Sequence, residues 1–234
     1  MAAWIEHDYT DAAALAEALA DTLHACCREA IDARGRAWLA LAGGRTPLPA
    51  YRALAARRLD WTCAVLVPSD ERCVPHDHPA CNVAELRDAF DGARGETIES
   101  LTTPDGDPAR SEAHARMRLG MYPEPFDAVV LGMGLDAHTA SLFPGAPQLR
   151  NALDLDNALE ATRLDPHPLP PEAPFPRITL TLSRLLRTRT LHLAITGAAK
   201  REVLQRARAS ATVARCPVAA LGAGAATVHV HWSP

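Results

Sequence analysis

Lysine is almost missing from this chain: of 24 basic residues, 23 are arginine and Lys200 alone is lysine. Arginine serves wherever a plain positive charge suffices, so a single retained lysine marks a place where a compact point charge is wanted. An excess of positive charge is missing too. The formal net charge is -4, and no Lys/Arg cluster interleaves with aromatics, which excludes broad nucleic-acid binding and confines anion recognition to a local site. No apolar run is long enough to span a membrane, and the opening "MAAWIEHDYTDAAALAEAL" carries acids where a secretory signal needs bases. A cytoplasmic protein without a membrane partner is expected. C-x-x-C pairs are absent as well. The six cysteines, at 26, 27, 63, 73, 81 and 216, read as reduced packing residues. Cys73, His76, His78 and Cys81 fit no common zinc spacing, and Pro75 and Pro79 interrupt them.

What is present is ordinary globular material, with 48% hydrophobic and 22% charged residues and a length that one α/β domain, 1–234, accommodates. Leu15, Leu19, Leu23 and Ala30 recur at helical spacing and stop before Gly35, which predicts a helix over 11–33. Further helices are expected at 47–58, 81–90, 107–119 and 198–209. "AWLALAGG", "CAVLVPSD", "DAVVLGMG" and "LHLAITG" are short apolar runs ended by Gly or Pro and followed by helix-like sequence. They read as strands covered on both faces, so the expected fold is a largely parallel, Rossmann-like α/β sheet with helices on both sides. "VHVHW" (228–232) alternates like a strand with one exposed face. The six prolines of 164–176 make that stretch an extended connection near the site.

Ligands of parallel α/β sheets bind beyond the carboxyl ends of the strands. Here those ends carry "GGRTP", "SDER", "GLDAHTA" and "TGAAK". In the first, Gly43 and Gly44 free backbone N–H groups, Thr46 is suited to cap the next helix and Pro47 fits its first position, a pattern that suits phosphate. Lys200 falls in the first turn of the helix after Gly197, where a cation opposes the helix dipole unless an anion lies between them. Asp70, Glu71 and Arg72 read by themselves as a solvated turn. Asp136 and His138 suit general-base chemistry, with the carboxylate fixing the imidazole tautomer. No G-x-S-x-G elbow surrounds Ser141, so water is the expected nucleophile.

Taken together, "LALAGGRTPLPAYRAL", "SDERCVPHDHPACN", "FDAVVLGMGLDAHTASLFPG", "RITLTL" and "TGAAKREVL" resemble, in order, the glucosamine-6-phosphate isomerase/6-phosphogluconolactonase family on its lactonase side. The resemblance spans about residues 38 to 204. It implies hydrolysis of 6-phosphogluconolactone, without metal or cofactor, on the fold of glucosamine-6-phosphate deaminase. It assigns Gly43, Gly44 and Thr46 to a phosphate loop completed by Lys200 and Arg177, with Arg45 beside it where serine is common. Asp70 and Arg72 would line the sugar, and Asp136 and His138 would form the catalytic pair. Ala137 stands where the family usually has glycine, so strain is expected if that position needs φ > 0. A sugar-phosphate isomerase or deaminase, or a sugar-phosphate sensor domain, is the alternative. The deaminases carry a glutamate after the histidine, whereas "HTASLFPGAP" supplies no acid. The expected partner is a small phosphosugar lactone, and the expected state a monomer or weak homodimer.

Overall fold

The computed structural model describes residues 2–171, 173–210 and 212–234. In chain order the elements are β1 (Trp4–Asp8), α1 (Ala12–Arg34), β2 (Ala37–Leu41), α2 (Leu48–Ala55), β3 (Ala64–Pro68), β4 (Asp70–Arg72), α3 (Asn82–Ala89), β5 (Thr97–Ile98), α4 (Pro108–Gly120) and β6 (Phe126–Leu131). They continue with α5 (Leu149–Ala152), β7 (Ala161–Leu164), β8 (Arg177–Leu180), α6 (Leu182–Leu186), β9 (Thr188–Thr196), α7 (Ala198–Ala209) and β10 (Val228–Ser233).

Seven strands form one sheet in the order β1-β10-β9-β6-β2-β3-β5, and every pairing in it is parallel. The buried runs of β2 and β6, with no exposed residue in either, explain why neither shows polar alternation: both faces are covered. One apolar cluster, with Leu131, Leu142, Leu193 and Leu204, lies on one side of the sheet. The other side is packed by Leu15, Leu19, Leu23 and Tyr51 from α1 and α2. Helix α1 starts and stops as its sequence directs. The Asp11 carboxylate accepts from Ala14 N, and Gly35, at φ +76°, donates its N–H to Ile31 O.

From β2 the chain steps outward to β3 and β5, then returns to β6 on the other side of β2. The order therefore reverses between β2 and β6, which opens a crevice beyond Leu41 and Leu131. A second, antiparallel sheet of order β4-β8-β7 was not legible beforehand. It pairs Asp70 with Thr179 and Arg72 with Arg177, so Asp70–Arg72 is a strand and not a solvated turn. Glu71 is fully buried in it.

Strand β10 also departs from expectation. It lies between β1 and β9, and its histidines are not on an open face. His231 is 2% exposed because it bonds to Tyr9 Oη and His192 Nδ1. Between β7 and β8 the described residues of the proline-rich connection form no helix or strand, and Ala173 N–H turns back to Pro170 O, so the stretch is a connection but not extended throughout.

Candidate active site

The crevice holds a cavity of about 280 Å³ that receives Gly43–Thr46, Asp70, Arg72, Asn82, His138 and Lys200. Residues from all four predicted strand ends thus meet there. Arg177 does not. It is 3% exposed, turns its guanidinium to the carbonyls of Phe175 (2.5 Å) and Ala173 (2.7 Å), and lines an adjoining cavity of about 490 Å³ under the proline-rich loop. Its pairing opposite Arg72 explains that placement. Arg72 and His138 line both cavities, so the two are adjacent.

The glycine-rich turn after β2 differs in detail from its sequence reading. Gly44 takes φ +97°, and α2 begins at Leu48 with Pro47 at its N-cap and no side-chain cap. Thr46 is not a cap because its hydroxyl lies 3.3 Å from Thr196 Oγ1 at the end of β9, which ties the turn to the start of α7. The Gly44 N–H donates to Glu85 Oε2 at 3.3 Å. An incoming anion would compete with that carboxylate for it.

Lys200 is the third residue of α7, after Gly197 at φ +88°. The Gly197 N–H donates to Ser233 O and its carbonyl accepts from Trp232 Nε1, so β10 holds the start of the helix. Burial, and then the Arg45 guanidinium, push the Lys200 ammonium below its ordinary pKa. Three cations, Arg45, Arg72 and Lys200, line one cavity whose only lining carboxylate among the described residues is Asp70, and they favour an anionic occupant.

Asp70 is 9% exposed. Its carboxylate accepts from Ser69 Oγ at 3.0 Å and Ser141 Oγ at 2.5 Å. Ser141 is therefore tied up as a donor, in keeping with its reading as no nucleophile. Glu71 accepts the N–H groups of Arg72, Asn82 and Val83 at the start of α3. Burial pushes its carboxyl up to about 7 against those three donors. Arg72 donates to Ala80 O at 2.7 Å.

In the loop after β6 the His138 Nδ1 lies 2.5 Å from Asp136 Oδ1, which also accepts the His138 N–H at 3.2 Å. With a carboxylate as partner, Nδ1 carries the proton and Nε2 is the basic nitrogen of the neutral ring. Nε2 has no hydrogen bond among the described residues. Burial raises the Asp136 carboxyl, but the hydrogen bond and charge of His138 outweigh it and hold the group below the usual carboxylate range. The ring also packs on Phe143, centroid to centroid 4.2 Å. Ala137 adopts φ +64°, the left-handed conformation that favours glycine, at a backbone cost of about 1 kcal/mol. It is 3% exposed and packs in the core, while its carbonyl accepts from Val218 N. The loop closes with alanine there.

Asn82, unremarked in the sequence, is 2% exposed and lines the cavity. Its relevance depends on its neighbours, Gly43 and Asp70, and no spacing signals that. Cys73, His76, His78 and Cys81 do not converge. His76 bonds Thr102, His78 accepts from Ala80 N and Cys81 donates to Glu71, and no group of metal-ligating side chains occurs among the described residues. No described helix is long and apolar enough to cross a membrane.

The family model described as glucosamine-6-phosphate isomerases/6-phosphogluconolactonase matches residues 10–232. A 6-phosphogluconolactonase of Rhizobium meliloti is 38% identical over 231 residues, 97% of this chain and 98% of its own. The crystal structure of a 6-phosphogluconolactonase from Shewanella baltica superposes with a TM-score of 0.92 at 32% identity, covering 99% of this chain and 98% of that one. A monomeric glucosamine-6-phosphate deaminase superposes with a TM-score of 0.79 at 16% identity over 98% of this chain and 97% of its own. That last likeness concerns the fold alone.

Proposed function

The chain belongs to the glucosamine-6-phosphate isomerase/6-phosphogluconolactonase family, and we propose that it hydrolyses 6-phospho-D-glucono-1,5-lactone to 6-phospho-D-gluconate in the oxidative pentose phosphate pathway. The observation that carries this reading is His138, paired with Asp136 and with Nε2 unengaged, in one cavity with Lys200 and Arg45.

The phosphate is held by the turn at Gly43–Thr46, with Lys200 and Arg45 supplying charge and Gly44 exchanging Glu85 for the ligand. His138 Nε2 takes a proton from water as the water oxygen bonds to the lactone carbonyl carbon. Asp136 holds the tautomer and offsets the imidazolium charge. Arg72, which lines the same cavity as His138, or backbone N–H groups of the glycine-bearing loop stabilise the developing oxyanion. Collapse of the tetrahedral adduct breaks the bond from that carbon to the ring oxygen, which takes the proton from the imidazolium. The carboxylic acid so formed then loses its proton to solvent.

Asp70, fixed by Ser69 and Ser141, faces the sugar in this reading. Arg177, in the cavity that adjoins His138, acts on the lactone side and not at the phosphate. A deaminase or isomerase must move a proton between carbons, and the segment after His138 here offers Ser141, whose hydroxyl is spent on Asp70, and the ring of Phe143. A sensor domain would need no Asp136–His138 pair. In this reading residues 1–234 act as one unit, a cytoplasmic monomer or weak homodimer. No metal or cofactor enters the scheme.

The test is hydrolysis of freshly generated 6-phosphogluconolactone without added metal, corrected for the spontaneous reaction. Acceleration is expected. No acceleration, or activity lost on thorough chelation and restored by zinc, contradicts the reading.

A further inference from the structure

We propose that Asn82 is a substrate-binding residue whose side-chain Oδ1 accepts a hydrogen bond from one hydroxyl of the phosphorylated lactone and thereby selects for a polyol substrate. The inference rests on the functional reading above and adds to it a contact and a basis for specificity.

Three observations converge. The Asn82 Nδ2 donates to the backbone carbonyl of Asp70 at 2.7 Å. A carbonyl only accepts, so the amide is oriented: rotating it would set two oxygens against each other. The Asn82 N–H is spent on Glu71 Oε1 at 2.8 Å, which anchors the residue at the start of α3. Oδ1, the remaining polar atom of the side chain, is buried and has no partner among the described residues. Buried acceptors are otherwise almost always satisfied, because an unmet one forfeits its bond to water.

The place of Oδ1 says what must satisfy it. A Cβ on Gly43 would lie 2.3 Å from Oδ1, so the amide occupies the volume that a side chain at position 43 would fill. That puts the amide at the junction between the phosphate turn and Asp70, in a residue that lines the cavity. A phosphate dianion has no proton to give and repels an amide oxygen, so the phosphate itself is not the partner. A sugar hydroxyl is a donor of the right size. A site with a fixed buried acceptor penalises a ligand that lacks the matching hydroxyl, since the acceptor is then left unmet.

The rival account is that Asn82 merely braces β4 through Nδ2. The experiment that separates the two measures Kd by calorimetry for 6-phosphogluconate and its three analogues deoxygenated at C2, C3 or C4, on wild type, Asn82→Ala and Asn82→Asp. The binding readout does not depend on turnover, so a wild type that binds these ligands but does not open the lactone overturns the functional reading and leaves the Asn82 result standing by itself. Wild type is expected to lose about tenfold or more on one analogue. Asn82→Ala is expected to lose a similar factor on the full ligand and almost nothing further on that analogue. Asn82→Asp keeps an acceptor but not the brace, and is expected to retain the preference for the hydroxyl. Equal losses in Asn82→Ala across all four ligands, or a wild type indifferent to every deoxygenation, overturns the proposal.

Discussion

Gly134 is the floor beneath His138: a Cβ added at position 134 would lie 2.3 Å from both Nδ1 and Cε1 of the ring and 2.5 Å from Asp136 Oδ1. Neither Gly132 nor Gly134 takes positive φ among the described residues, so the glycine at 134 is there for close approach and not for a turn.

Gly134→Ala is therefore expected to displace the Asp136–His138 pair while the loop, held by Thr139 Oγ1 on Gly132 O and by Val218 N on Ala137 O, keeps its course. kcat should fall by about tenfold or more, with KM little changed, because the loss lies in proton transfer and not in phosphate binding. A variant with normal kcat would mean that the ring does not need this seat.

Lys200→Ala should weaken recognition of the phosphate. Losing one charged hydrogen bond costs roughly 1.5 to 3 kcal/mol, so kcat/KM for the phosphorylated lactone should fall about ten- to a hundredfold. Glucono-δ-lactone, which lacks the phosphate, should be much less affected. Equal losses on both substrates would assign Lys200 to the fold or to the chemistry.

Acid stability provides a check far from the cavity. His192 Nδ1 lies 3.1 Å from His231 Nε2, with Tyr9 Oη 2.9 Å from His231 Nδ1. Burial first, and neighbouring histidines second, push both rings down to about 3. Unfolded histidines take up protons near 6.5, so between about 6.5 and about 3 the unfolded chain binds more protons and stability falls as pH falls. At pH 5 the first ring alone accounts for about 2 kcal/mol. The urea midpoint should drop from pH 7 to pH 5, and less steeply in His192→Leu. An identical drop in both proteins would show that this ring does not govern the slope.

What could be read beforehand follows the range of the interactions. Helix α1 was legible because Asp11 and Gly35 cap it locally, and β2 and β6 because burial on both faces leaves unbroken apolar runs. The Asp136–His138 pair was legible because both residues sit in one short glycine-bearing loop. The antiparallel sheet was not, since β4 is three charged-looking residues whose partner strand lies more than a hundred positions away, and Arg177, which the resemblance places at the phosphate, lies under the proline-rich loop. Thr46 looked like a cap because its tie to Thr196 is made only in the folded sheet. Asn82 gave no signal for the same reason: its orphan acceptor exists only where Gly43 and Asp70 meet.

The central claim is that His138 Nε2 is the general base, and the most direct measurement is kcat for 6-phosphogluconolactone opening by wild type and His138→Asn, each corrected for spontaneous hydrolysis. The account predicts a fall in kcat of roughly a hundredfold or more, with binding of 6-phosphogluconate retained. Turnover close to wild type in His138→Asn would contradict it and return the histidine to a purely structural place beside Asp136 and Phe143.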